Sequence, residues 1–438
     1  METTYLVEIR LGRTKWRIRE IIREIAGTFH IEEYMEQHPH ITLFGPFVLN
    51  EGVSPQTLLE TIAATTARFD PIPFVIDGWD RREGMHGSVI AFKVIPSAAL
   101  QKITREIAEV LSPIVQSQIV WDATPENKWF HATIANRLDA AVASDVYSRL
   151  SGQKSDSSKN EASQTGVIAK IWRLLGKAKN QEPARIIPPV LLDETGLRLT
   201  VMQEKEILAE YDFLEKRWIT GGYSHNNKSW QKTLADYRHF AGLERSDPVI
   251  PDPDDIFLSA DLHLGHANII RYCSRPFLAS DVKEMDHVLI KNWNYTVAPV
   301  NQVYYLGDFT YGSNVQDPNL YRKKLRGRIT FVRGNHDNDE LTTVPSVVLE
   351  KDGIRFFLVH DPADAPKDFD GWVIHGHHHN NDLRNFPFID FEKRRINISA
   401  EVAGYLPVTL QEICSYFQKN ASEPGKRQIL LNYPRTPR

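Results

Sequence analysis

Short apolar runs, each ending on a polar residue able to bind a metal, shape the second half of the chain. Ile256-Phe257-Leu258 leads into Ser259-Ala260-Asp261-Leu262-His263, Val303-Tyr304-Tyr305-Leu306 into Gly307-Asp308, and Ile329-Thr330-Phe331-Val332 into Arg333-Gly334-Asn335-His336-Asp337. The run at 354–359 ends in His360, and Trp372-Val373-Ile374 ends in His375-Gly376-His377-His378-His379. Apolar runs of this length predict buried strands. An α/β sheet gathers its ligand site at the C-terminal strand ends, where these residues fall. Nine of the 16 histidines lie between positions 263 and 379, a clustering that a surface distribution does not produce.

The first half reads differently. Residues 5–9 predict a strand and 13–29 an amphipathic helix, with Trp16, Ile18, Ile21, Ile22 and Ile25 on one face and Lys15, Arg17, Arg19 and Arg23 on the other. Such a basic face is ordinarily solvated, but it also suits the approach to a phosphate. Residues 140–150 predict a helix, and 197–201 with 207–213 a hairpin-like pair of strands. Between them, residues 151–165 are polar and poor in aromatics, as a mobile insertion would be. Residues 167–175 predict a short basic amphipathic helix, suited to packing on its own domain or to docking on a partner or membrane surface. Further on, 230–243 predicts a connecting helix, 395–399 a closing strand and 409–419 a final helix.

One motif recurs on predicted strands. His40-Ile41-Thr42 and His131-Ala132-Thr133 each place an imidazole and a hydroxyl on one face, because side chains two apart on a strand point the same way. The pair resembles the two-histidine phosphoesterases, the family of RNA 2′,5′-ligase and cyclic phosphodiesterase enzymes, over roughly residues 1–220. That resemblance implies two pseudo-symmetric α/β lobes around a cleft, with His40, Thr42, His131 and Thr133 as catalytic residues. Opening a 2′,3′-cyclic phosphate needs a base for water and an acid for the leaving alkoxide. Two imidazoles serve both ends, and the threonines can hydrogen-bond the non-bridging oxygens. No metal is needed, and which histidine is base depends on which ester oxygen leaves.

The ordered set across 256–379, D-x-H, G-D, G-N-H-D, H and G-H-x-H, resembles the calcineurin-like metallophosphoesterases. The resemblance implies an αββα sandwich and two divalent ions: Asp261, His263 and His379 on one, Asn335, His360 and His377 on the other, with Asp308 bridging. In such a site the ions clamp the attacking and leaving oxygens of an in-line displacement. His336 matches the family's general acid or transition-state stabiliser. His378 fills the free position of G-H-x-H, while His266, His375 and Arg333 are either outer contacts of the site or structural. The mixed nitrogen and oxygen donors fit manganese, the first choice, or iron, nickel or zinc.

Composition narrows the partners. At 438 residues the chain exceeds one typical domain. A net charge of −4 and a pI near 6.5 give no global polycationic surface for long nucleic acid. Cys273 and Cys414, the two cysteines, exclude a disulfide scaffold and a thiolate cage and fit a reducing compartment. The start, Met1-Glu2-Thr3-Thr4, has no cationic or apolar leader, and no stretch reaches 18 apolar residues, so a cytoplasmic protein without membrane spans is expected.

The expected organisation is a two-histidine phosphoesterase domain over 1–222, a linker helix with a proline-rich joint over 223–253, a metallophosphoesterase domain over 254–419 and a tail over 420–438. Joined, the two halves imply sequential processing of an RNA end or a small cyclic nucleotide. The first site opens the cyclic phosphate without metal, and the second removes the resulting monoester. Two other readings fit the same motifs: a metal-dependent phosphodiesterase or nuclease joined to an end-repair domain, and a phosphatase governed by a nucleotide-binding module. No obligate protein partner is evident.

Overall fold

A computed structural model describes residues 2–32, 35–36, 38–84, 86–152, 190–220, 226–312, 315–337, 340–421 and 432. The insertion beyond residue 152 and the helix expected at 167–175 lie outside the described residues, as does nearly all of the tail. The fold is mixed α/β, and the chain divides into two compact units, Met1–Gly221 and Gly222–Arg438.

The first unit holds two antiparallel sheets. One runs in the order β10-β9-β8-β1-β2-β5, built from β1 (Thr4–Arg10), β2 (His40–Leu49), β5 (Val115–Ser117), β8 (Arg198–Gln203), β9 (Glu206–Asp212) and β10 (Arg217–Thr220). The other runs β6-β4-β3-β7, from β3 (Ile72–Gly84), β4 (Gly87–Pro96), β6 (His131–Leu138) and β7 (Leu191–Gly196). The helix Lys15–Phe29 buries Ile18, Ile22, Ile25 and Ala26, a spacing that matches one face of a 3.6-residue period. Helix Ala140–Leu150 starts on Asp139, whose side chain accepts from the Ala141 and Val142 amides and so satisfies two unpaired donors of the first turn.

β2 and β6 belong to different sheets but lie close together, and the segment just before β2 pairs with the edge strand β6. The Glu36 amide donates to the Ile134 carbonyl at 2.8 Å, and Met35 bridges Ala135 in antiparallel fashion. In both strands the residues between and after the histidine and threonine, Ile41 with Leu43 and Ala132 with Ile134, are buried in the core. The same alternation leaves His40, Thr42, His131 and Thr133 half-buried on the opposite face.

In the second unit, one sheet runs β14-β13-β12-β11-β20, from β11 (Ile256–Ser259), β12 (Gln302–Leu306), β13 (Arg328–Val332), β14 (Thr343–Val344) and β20 (Val408–Thr409). The other runs β15-β16-β17-β19-β18, from β15 (Val347–Lys351), β16 (Ile354–Leu358), β17 (Trp372–His375), β18 (Ile389–Asp390) and β19 (Arg395–Asn397). β11, β12 and β13 are parallel neighbours, and so are β16 and β17, so five C-terminal strand ends can feed one site. Phe257, Val303, Tyr305, Phe331 and Trp293 form part of the core behind them. The helix Asn227–Phe240, read from sequence as a linker, is held within this unit by Arg238, which donates to the Pro276 carbonyl and to Glu284. No helix among the described residues is long and apolar enough to cross a membrane.

Candidate functional sites

In the first unit the two histidines are anchored identically. The His40 Nδ1 lies 2.7 Å from the His38 carbonyl, and the His131 Nδ1 lies 2.9 Å from the Trp129 carbonyl. A carbonyl only accepts, so each Nδ1 carries a proton and each Nε2 is the nitrogen left for proton transfer. Their surroundings differ, however. His40 Nε2 stands 3.5 Å from Oε2 of Glu8, a buried carboxylate that Arg10 holds at 2.7 Å from its other oxygen. His131 is stacked on the Trp129 indole, ring centres 3.7 Å apart, and the Arg82 guanidinium sits 4.7 Å from the centre of that indole. Burial lowers the His131 pKa to about 4, with the His40, Lys128 and Arg82 charges acting in the same direction. His131 is therefore a neutral imidazole across the physiological range. Glu8 and Arg10 have no signal in the sequence, because they reach His40 only through the pairing of β1 with β2.

In the second unit the strand ends bring together all seven donors singled out from sequence. Oδ2 of Asp308 lies 3.5 Å from Nε2 of His263 on one side and 3.5 Å from Nε2 of His360 on the other. Asp261, His263 and His379 form one cluster, all buried. Asn335 Oδ1 is 2.8 Å from Nε2 of His360 and 2.9 Å from Nδ1 of His377, which closes a second cluster. Five of the seven, Asp261, His263, Asp308, His377 and His379, have left-handed backbone with φ between 49° and 71°. Non-glycine residues adopt this conformation at a cost of about 1–3 kcal/mol each. Here it turns the chain sharply past each strand end, so that the side chain enters the crevice.

Two motif glycines permit the close approach. A Cβ on Gly334 would collide with the amide and Oδ1 of Asp308, and one on Gly376 with Oδ2 of Asp261. Asp337, the last residue of G-N-H-D, accepts from the amides of Asp308, Phe309 and Gly334 and so ties two strand ends together. The Tyr305 hydroxyl accepts from the Leu262 amide and donates to the Asp308 carbonyl.

The remaining histidines separate by environment. His336 donates its backbone N–H to Oδ1 of Asp308, and its exposed ring lies 5.8 Å from that of His263. His378 is stacked on Phe386 at 3.4 Å, which leaves the positions on either side of it to the clusters. His375 is wholly buried, its Nδ1 on the Gly376 carbonyl, and burial lowers its pKa to about 3. His266 is partly buried 5.5 Å from the His263 ring, and burial lowers its pKa to about 4. Arg333 is exposed.

The donor set fits a pair of divalent cations. His263 is 2% exposed, yet neither ring nitrogen has a hydrogen-bond partner among the described residues, although a buried imidazole ordinarily has one. Burial also lowers its pKa well below the usual value, so the ring is neutral and has a lone pair to give. Sequence reading missed Arg275 and Glu401. Arg275 donates to the carbonyls of Asp261 and Leu262 and to Glu401, whose other oxygen meets Nδ1 of His379. Burial pushes the Glu401 carboxyl up, but Arg275 and then His379 outweigh it and hold its pKa at about 2.

Comparison with known proteins gives three kinds of likeness. Residues 14–164 match the family model of the 2′-5′ RNA ligase superfamily. The chain is 44% identical to the uncharacterized protein MJ1445 of Methanocaldococcus jannaschii over 166 residues, which make up 37% of this chain and 92% of that protein. Among solved structures it is similar to the protein of unknown function AQ665 from Aquifex aeolicus, at 25% identity and a TM-score of 0.29, covering 37% of this chain and 99% of that one. It is also similar to Yfce, a phosphoesterase from E. coli, at 17% identity and a TM-score of 0.20, covering 33% of this chain and 78% of that one.

Proposed function

The chain belongs to the family of the M. jannaschii protein MJ1445 and carries a 2′-5′ RNA ligase superfamily domain in its first unit, and from this premise we propose a bifunctional phosphoesterase acting on RNA ends or nucleotides. The first unit is read as a bilobal two-histidine phosphoesterase that opens 2′,3′-cyclic phosphates, and the second as a calcineurin-like metallophosphoesterase that removes the monoester so formed.

The matched anchoring of His40 and His131 carries the first part. With both Nδ1 atoms held on carbonyls, both Nε2 atoms are free for proton transfer. His131, kept neutral by burial, takes a proton from water as the water oxygen attacks phosphorus. The bond from phosphorus to one ribose oxygen breaks, and His40 gives that oxygen its proton. For this step His40 carries its second proton on Nε2, which Oε2 of Glu8 faces at 3.5 Å. Thr42 and Thr133, on the same faces as the histidines, donate hydroxyl hydrogens to the non-bridging oxygens.

The second part rests on the seven converging donors. Asp261, His263 and His379 would hold one ion and Asn335, His360 and His377 the other, with Asp308 shared. Nitrogen and oxygen donors of this kind suit manganese, iron, nickel or zinc. Bound there, such ions supply Lewis-acid stabilisation of the charge that develops on a phosphate ester. The chain's own residues do the rest. His336, exposed at the mouth, is placed to protonate the leaving alkoxide, while Asp337, Tyr305 and Arg275 hold the strand-end turns that aim the donors.

Supplied with manganese, the purified chain should convert a nucleoside 2′,3′-cyclic phosphate to nucleoside and inorganic phosphate, with the monoester as a transient. Failure to open the ring overturns the reading of the first unit. Opening without further hydrolysis overturns that of the second.

A further inference from the structure

Three of the four histidine donors of the second site, His360, His377 and His379, have a ring nitrogen fixed by a neighbour, and the neighbours are not equivalent. His360 gives Nδ1 to the Leu306 carbonyl and so presents Nε2. His377 turns Nδ1 toward Asn335, while its Nε2 lies 3.7 Å from Asp361. His379 alone meets a carboxylate that is itself locked in a buried ion pair. Oε2 of Glu401 is 3.0 Å from its Nδ1, and Oε1 is 2.6 Å from Nε of Arg275. The side chains of Arg275 and Glu401 are 0% and 2% exposed. The two terminal nitrogens of Arg275 each lie 2.7 Å from a backbone carbonyl, Leu262 and Asp261. One guanidinium thus clamps the D-x-H turn while it orients the carboxylate behind the last histidine of G-H-x-H. Arg275 and Glu401 are 126 positions apart.

We propose that the buried Arg275–Glu401 pair is a positioning device for one of the two metal sites: it fixes His379 with its proton on Nδ1 and its lone pair on Nε2, and sets the Asp261-Leu262-His263 turn against it. The inference rests on the metal reading of the second unit. It follows from what a carboxylate can do and an amide cannot. A carboxylate accepts at both oxygens, so it satisfies Arg275 and the His379 N–H together. A glutamine at 401 accepts at one atom only. With its oxygen taken by Arg275, its NH₂ faces Nδ1 of His379 and demands an acceptor there. The proton then moves to Nε2, which no longer has a lone pair to offer. The effect is confined to the cluster of Asp261, His263 and His379, because His360 and His377 are held by other groups.

The test is zinc binding by the full chain freed of metal, comparing wild type with Glu401→Gln by calorimetric titration and by zinc content after dialysis. Wild type should bind two zinc ions per chain. Glu401→Gln should keep one at unchanged affinity and bind the other about 10- to 100-fold more weakly, the usual scale for losing an outer partner of a ligating histidine. Equal weakening of both ions would mark a general structural role and overturn the proposal, as would two ions bound as in wild type. A wild-type chain that binds no zinc overturns the metal reading itself. The variant strands a buried guanidinium against a neutral partner and can fail to fold, so a second measurement uses the wild type alone. In the zinc-loaded, nitrogen-15-labelled chain, His379 should carry its proton on Nδ1; a His379 without that proton overturns the proposal.

Discussion

At the scale of single residues, the second site is made by strain and by missing atoms as much as by its donor side chains. Side chains at Asp261, Asp308 and His379 reach the crevice only because their backbones turn left-handed, and the turns close only because Gly334 and Gly376 lack a Cβ. Gly334→Ala should therefore fold, at a cost of about 1–3 kcal/mol for overpacking. By displacing the Asp308 carboxylate, it should also lose metal and monoesterase activity. Metal content and thermal melting of the same sample check this, and an alanine variant with full metal would remove the reason given for that glycine. In the first unit the corresponding lever is the environment of His131. Burial lowers its pKa to about 4, so the base form is present above that pH and is lost only as pH falls through it. The acidic limb of kcat/KM for ring opening, followed with chelator from about pH 3.5 to 8, should lie near 4 rather than near 6.5 where a free imidazole titrates. A limb near 6.5 would return the base role to another group. The seven donors that converge were legible as candidates, since each motif carries its donor at a strand end. Arg275 and Glu401 were not, because a contact between residues 126 positions apart leaves no local pattern.

At the scale of elements, apolar periodicity carried most of the relevant fold. Runs read at 256–258, 303–306, 329–332 and 372–374 are the cores of β11, β12, β13 and β17, and the helix read at 140–150 is Ala140–Leu150. Ends moved by a residue or a few, as at 230–243 against Asn227–Phe240, where the Asn226 side chain accepts from the Lys228 amide and starts the helix earlier. Pairing was the illegible part. That β2 and β6 meet across two sheets is a long-range event, and only the recurrence of His-x-Thr pointed to it. Strand ends also need fastening to one another, and Asp337 does this for β12 and β13 with hydrogen bonds of 3.0, 2.9 and 2.8 Å to three amides. Hydrogen bonds to a charged group are worth about 1.5–3 kcal/mol each, and neighbouring ones do not add fully. Asp337→Ala should cost roughly 2–5 kcal/mol in chemical denaturation and weaken metal binding. An unchanged unfolding midpoint would show that the two ends hold their register without it.

At the scale of the whole molecule, the proposed function puts two chemistries of opposite needs on one chain. Ring opening by a pair of imidazoles moves protons only, whereas monoester hydrolysis by the second unit is read as needing its ions. EDTA should therefore abolish monoester hydrolysis and leave cyclic phosphate opening intact, so that the monoester accumulates. His40→Ala or His131→Ala should do the reverse. Each removes one end of the acid–base pair, costing roughly 10²- to 10⁴-fold in ring opening, while a ready-made monoester is still cleaved. The net charge of −4 adds a second expectation, because a surface without a cationic excess gains little from a long phosphate chain. Mononucleotide 2′,3′-cyclic phosphates should thus be opened nearly as well as longer RNA ends. Chromatographic separation of cyclic phosphate, monoester and nucleoside over time, with and without chelator, reads all of these outcomes. If EDTA stops ring opening, or if both histidine variants open the ring at the wild-type rate, the metal site does all the chemistry. The matched His-x-Thr strands would then bind a nucleotide rather than cleave it.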